Sequence, residues 1–216
     1  MWTWRATLYL AARSSIGARA TTWVVVRSQM WMWDRKDVHS DDQKIELSLT
    51  DLRAVAGFAA MCAQKALTLF ERRHPEDPRP RSAVDAAKTF ANGERRSNVQ
   101  RSTAVAAHRA SKEATDPVVQ HAARAAGDAA ASVYLHPLAQ ASQVGHILGS
   151  ASNAARAFEL DAGGDTSIGS QWLATFQGYA TSDLRNVLAR YPEVPSGTNR
   201  LNELMRDLDR TLRLIS

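Results

Sequence analysis

The sequence predicts an all-α protein: a bundle of six to seven antiparallel helices, preceded by an N-terminal extension expected to be poorly ordered. Three observations carry that expectation. From Ile45 onward apolar residues recur at three-and-four spacing, the pattern of a helix with one buried face, and no strand-and-turn alternation appears. Cap residues, glycines and prolines interrupt the pattern at short intervals, as they do where one helix ends and the next begins. Alanine-rich runs such as AARAAGDAAA combine the best helix propensity with side chains small enough to let neighbouring helices come close.

The first helix is expected over residues 51–72, with Thr50 as its N-cap. Its apolar stripe is Leu52, Val55, Ala56, Ala59, Cys62, Ala63, Ala66, Leu67 and Phe70. HPEDPRPR then breaks the chain, because each proline disfavours a helical residue before it. A second helix over 82–92 would end at Gly93, a residue suited to a left-handed turn. SNVQ, at residues 97–100, has the form of a capping box for a third helix reaching residue 114. Asp116 and Pro117 supply the N-cap and first-turn proline of a fourth.

A fifth helix is expected from Pro137 to residue 160, stopped by Gly163 and Gly164, and a sixth over 168–190, with a bend around GYATSD. The last covers 199–214, with a core stripe of Leu201, Leu204, Met205, Leu208, Leu212 and Ile215 and its charges expected on the opposite face, among them an Asp209–Arg213 pair four residues apart.

At 216 residues, 44% of them hydrophobic and 23% charged, the composition is that of an ordinary globular domain, so residues 45–216 are expected to form a single helical bundle. One cysteine, Cys62, excludes an internal disulfide framework and, on the core stripe, reads as a buried thiol. No apolar run approaches the roughly 18–20 residues of a membrane span, and a single cysteine fits a reducing compartment, so the cytoplasm is the expected location. The net charge of +5 arises mostly in residues 1–40, where six basic residues face two acidic ones. That segment also holds five of the six tryptophans and no sustained period, so residues 1–40 read as a non-native or disordered extension, with the natural start at Met30 or Met32.

Motifs of chemistry are sparse. GDTSIGSQ, at residues 164–171, has the glycine spacing of a phosphate loop, but Ser170 and Gln171 stand where that loop needs lysine and a hydroxyl, so a helix cap is the better account. The six histidines include no pair four residues apart on one helix, and no metal or other cofactor is expected. No GxSxG elbow is present. Arg72, Arg73, Arg79, Arg81, Arg95 and Arg96 lie in the loops at either end of the second helix, with acidic residues between them and no interleaved aromatics, which favours a solvated or partner-binding surface over a nucleic-acid footprint. On the fifth helix Leu138, Ala141, Gly145, Leu148, Ser152 and Ala155 form one stripe and Ser142, His146, Gly149 and Asn153 a second, polar one. Both faces suit packing, which makes this helix central. Tyr134, His136, Ser142, His146 and Asn153 are therefore a candidate groove, with a core histidine bonded to a neighbouring helix as the plainer alternative for His146.

Four segments, DPRPRSAVDAAKTFANG (77–93), AAHRASKEA (106–114), YLHPLAQASQVGHILGSASNAARAFEL (134–160) and VLARYPEVPSGTNRLNELMRDLD (187–209), resemble a family of small, mostly actinobacterial helical proteins, the immunity-protein-five-like putative immunity family. The likeness runs from residue 46 to the C-terminus. It implies a toxin-neutralising protein that acts by direct binding to a cognate toxin, without catalysis and with no catalytic residue to carry over. The same proteins bear an exonuclease SbcC label. The ATPase properly so named is marked by a phosphate loop and a long coiled coil, and this sequence has neither. An SbcC-like or other nucleic-acid-related factor, and a small-ligand-binding bundle, remain the alternatives; the oligomeric state is left open.

Overall fold

Ser48 opens the first helix, two residues earlier than Thr50: its hydroxyl accepts from the Asp51 N–H while the Asp51 carboxylate accepts from the Ser48 N–H, a capping box that Thr50, already inside the helix, cannot form. The computed structural model describes residues 44–214, all within one unit. The expectations for residues 1–40, for a start at Met30 or Met32 and for Ile215 lie outside the described residues. Within them the chain is a bundle of eight α-helices: α1 (Leu49–Arg73), α2 (Arg79–Ala91), α3 (Asn98–Glu113), α4 (Pro117–Ala131), α5 (Ala141–Asp161), α6 (Thr166–Gln177), α7 (Ser182–Ala189) and α8 (Arg200–Leu214). The only extended pairing among the described residues is a single antiparallel bridge between Lys44 and Leu138.

The capping expectations for α3 and α4 hold: Ser97 and Gln100 form the box, and Asp116 accepts from the Val118 N–H with Pro117 in the first turn. Gly93 lies past the end of α2 at φ 112°, where a side chain would be strained. Besides the start of α1, three boundaries differ from expectation in ways that the local contacts explain. Helix α2 begins at Arg79 rather than at residue 82, because Pro80 sits in the first turn, where its missing N–H has no partner to lose, and the Asp77 carboxylate accepts from the Arg79 N–H. Helix α5 begins at Ala141 rather than at Pro137, because the Pro137 carbonyl accepts from the Ile45 N–H and Leu138 pairs with Lys44, which holds that stretch extended. The expected sixth helix is two, since the Thr181 hydroxyl accepts from the Leu184 N–H and starts α7 afresh.

Helix α1 lies against α2, α4, α5 and α7, and every residue of its expected stripe is buried together with Phe58, Ala60 and Leu69, so its apolar surface is wider than one stripe. Helix α5 is likewise central, meeting α1, α4, α6 and α8. Small side chains make these seams close. Ala59, Ala60 and Ala63 of α1, Ala122, Ala126 and Ala130 of α4, and Ala151, Ala154 and Ala155 of α5 are all buried, and the Ser150 hydroxyl donates to the Ala59 carbonyl across the α1–α5 seam at 2.8 Å. Adding methylenes at such positions costs about 1–3 kcal/mol, since there is no space for them. Phe58, Phe70, Phe90 and Phe176 are the largest fully buried side chains among the described residues. The Cys62 thiol is fully buried, and burial pushes its pKa well above the ordinary thiol range.

Candidate functional site

Helices α3, α4 and α5 pack in succession, and one polar network runs through both of their seams. The Asn153 amide of α5 donates to Asp128 Oδ2 of α4 at 2.9 Å and to the Gly149 carbonyl at 3.0 Å, so both its amide protons are used. Its Oδ1 is left to accept from His121 Nδ1 of α4, at 2.8 Å. His108 of α3 meets the other carboxylate oxygen, Asp128 Oδ1, through Nε2 at 2.9 Å. The direction of every bond follows from the donor inventory: the carboxylate accepts from Asn153 and His108, which places the shared protons on His121 Nδ1 and His108 Nε2. Two glycines make room for it. A Cβ at Gly127 would run into the His108 ring, and one at Gly149 would stand 3.2 Å from Asp128 Oδ2.

Burial holds His121 below the ordinary imidazole pKa, aided by the charges of Arg156 and Arg124 and opposed by the Asn153 bond and Asp128. His146, two turns before Asn153 on the same face of α5, is lowered chiefly by burial as well, with Asp128 working against it and His136 and His108 with it. Near neutral pH both imidazoles are therefore uncharged. The chemistry of this arrangement is that of a clamp: a carboxylate taken up by two donors ties three helices together.

The five candidate groove residues fall in different surroundings. Asn153 is inside the network, and His146 borders it. Ser142 is exposed in the first turn of α5. The His136 side chain is exposed, while its backbone N–H donates to Gln143 Oε1 and its carbonyl accepts from the Tyr191 hydroxyl at 2.7 Å; burial raises that hydroxyl's pKa to about 12. Tyr134, in a short 3-10 turn (Ser132–Tyr134), points toward the start of α3, where its hydroxyl donates to the Ser97 carbonyl at 2.7 Å. His108, His121 and Asp128 were not among the candidates. Their partners lie twenty or more residues away in sequence, and no local spacing announces such pairs.

The six candidate arginines divide between the two ends of α2, about 18 Å apart along its axis. At the N-terminal end each has a carboxylate partner. Arg72 and Arg73 share Asp161 at the end of α5, and Arg73 also meets Asp116, the N-cap of α4, at 3.0 Å. Arg79 joins Asp77 and Glu113, both at 2.7 Å, and Arg81 joins Glu71 at 2.6 Å. These pairs hold the carboxyls of Asp161 and Asp77 below the usual carboxylate range, with the arginine hydrogen bonds as the main cause. At the C-terminal end Arg95 and Arg96 are exposed and make no ion pair among the described residues. Arg96 and Arg101 lie over the Tyr134 ring, 5.5 and 4.9 Å from its centroid.

GDTSIGSQ proves to be a helix start, with Asp165 accepting from the Ser167 N–H. Its second glycine, Gly169, admits the fully buried Glu159, which pairs with Arg156 and Arg200 and so ties α5 to α8. The Asp209–Arg213 pair forms at 2.7 Å, but Asp209 is buried and also accepts from the Val194 N–H, so the pair anchors a loop instead of sitting on an outer face.

Among the described residues there is no cluster of three or more histidine, cysteine or acidic side chains able to hold a metal, and no helix long and apolar enough to cross a membrane. No curated protein and no solved structure matches the chain. The model of the Imm-5 like putative immunity protein family matches residues 46–174, from the segment before α1 into α6, so the segment 187–209 lies beyond it. The match covers the capping box of α3, the Asp128–Asn153 network and both ends of α2, and it spans more than half of the 216 residues: this chain belongs to the Imm-5 like putative immunity protein family.

Proposed function

We propose that the protein is an immunity protein that neutralises a cognate toxin by binding it directly. The observation that carries this reading is the family match over residues 46–174. The architecture is suited to such a role. Neutralisation by contact needs a preorganised surface with complementary shape and charge, and a bundle held by close alanine seams, a three-helix polar clamp and buried ion pairs keeps its outer faces in fixed relation.

Native capture of the full chain from its host, followed by mass spectrometry, tests the reading. A toxin co-purifying in near-stoichiometric amount is the expected result, as is toxin sensitivity in a strain that lacks the gene. A deletion strain that withstands the toxin as well as its parent would sink the reading.

A further inference from the structure

The arginines of the loop after α2 continue into a larger feature. From Arg95 to Lys112 the sequence holds Arg95, Arg96, Arg101, Arg109 and Lys112 and no acidic residue; the flanking Glu113 is taken by Arg79. All five cations are exposed, and none forms an ion pair among the described residues. Arg101, Val105, Arg109 and Lys112 follow one another at four-, four- and three-residue steps, which puts them on one face of α3 over about 16 Å. Val105 and Val99 are each 54% exposed on that helix, two of the few large apolar side chains that the described residues leave open.

One end of the face is built. The Tyr134 ring is pinned by its hydroxyl to the Ser97 carbonyl, and Arg96 and Arg101 lie over it, so both guanidiniums stand on a fixed support while their charge faces water. Arginine and tyrosine beside open aliphatic side chains are the residue types that dominate binding energy at protein interfaces.

We infer that the outer face of α3, from Arg95 to Lys112, is the docking surface for an acidic surface of the toxin. The assignment rests on the immunity reading above and says where and by what chemistry the partner is held. Charge complementarity selects an acidic partner. Two features favour a protein over nucleic acid: Val105 interrupts the cationic stripe with apolar surface that a phosphate backbone does not use, and the Tyr134 ring already carries two guanidiniums where a base would stack.

The toxin captured by the full chain, once purified, is titrated by calorimetry against the intact chain, an R101E/R109E double variant, and a K65E/R210E double variant that makes the same change of charge at exposed positions of α1 and α8. R101E/R109E is expected to weaken binding about 100-fold with a thermal midpoint lowered by no more than a few degrees, while K65E/R210E changes affinity about twofold or less. V105D, an uncharged-to-acidic change on the same face, should also weaken binding. Equal affinity of R101E/R109E and the intact chain overturns the surface assignment and leaves the immunity reading standing, as does an equal loss in both double variants. An intact chain that binds no toxin overturns both. An intact chain that binds oligo-dT more tightly than the captured protein, with the binding lost in R101E/R109E, overturns the protein partner in favour of nucleic acid.

Discussion

At the start of α2, Arg72, Arg73, Arg79 and Arg81 each meet a carboxylate of the same chain, whereas past its end Arg95, Arg96, Arg101 and, along α3, Arg109 and Lys112 meet none among the described residues. The first group joins helix ends: through Asp161 and Asp116 it ties α1 to the end of α5 and the start of α4, and through Glu113 it ties α2 to the end of α3. The second group makes no carboxylate tie; Arg96 donates to the Val133 carbonyl at 3.3 Å and, with Arg101, lies over the Tyr134 ring. A cluster of arginines is thus two different things according to whether acids are within reach in space, and only the group without them retains its charge for another molecule. Substitutions that remove partnered polar groups should change stability and leave binding alone; those on the α3 face should do the reverse.

The buried amide of the three-helix clamp sets the upper end of the stability scale. Asn153→Ala removes the one hydrogen-bond partner that His121 Nδ1 has among the described residues, together with a donor to Asp128, and the Asn153 side chain is itself buried. A loss of about 2 kcal/mol is expected, read as a lower midpoint of urea denaturation with an unchanged slope. The same network makes stability pH-dependent. His121 and His146 have folded-state pKa values below their unfolded ones, so the unfolded chain binds more protons, and the stability these groups contribute is full above about pH 6.5 and lost as pH falls below it. A His146→Gln variant should flatten part of that decline; an unaltered profile would show that His146 stays as hydrated in the fold as outside it.

Next comes the paired end of α2. Asp161→Asn leaves Arg72 and Arg73 without their shared carboxylate and should cost about 1 kcal/mol, the lower range for a pair this open to solvent. Its pH signature has the same sign at a lower pH. The folded-state pKa of Asp161 is depressed, so its contribution is present above about pH 3.9 and disappears as pH falls toward the folded value; the variant should lose less stability on acidification than the intact chain. Toxin affinity within twofold of the intact chain would complete the contrast, and a large loss of affinity would move the docking surface to this end.

The contrast also explains what could be read from the amino acids and what could not. Local chemistry was legible: the Ser97 and Gln100 box, the Asp116–Pro117 start, the left-handed Gly93 and the buried stripe of α1 all follow from residues within a few positions of one another. The start of α5 was not, since Pro137 looks like a first-turn proline until the Lys44–Ile45 segment arrives beside it. The Asp128 network was illegible for the same reason, its members being brought together from three helices. The α3 face had a readable signal that averaging concealed. Counted together with the acids from Glu71 to Glu94, its arginines look partly offset; counted alone, residues 95–112 hold five cations and no acid.

The smallest effect on stability should come from that face. Arg101→Ala and Arg109→Ala remove side chains with no carboxylate partner among the described residues, and alanine has the higher helix propensity, so no contact is lost that propensity does not offset, apart from the Arg101–Tyr134 contact worth roughly 0.5–1 kcal/mol. The double variant should melt within about 2 °C of the intact chain, because removing exposed like charges that repel one another on α3 works in the opposite direction to the lost ring contact. A midpoint lowered by more than that would mean the guanidiniums support the α3 start through Tyr134 and Ser97, and the face would then belong with the partnered end of α2. A midpoint that holds while rising salt weakens toxin binding to the intact chain far more than to the variant would place the charge of α3 in the interface and nowhere in the fold.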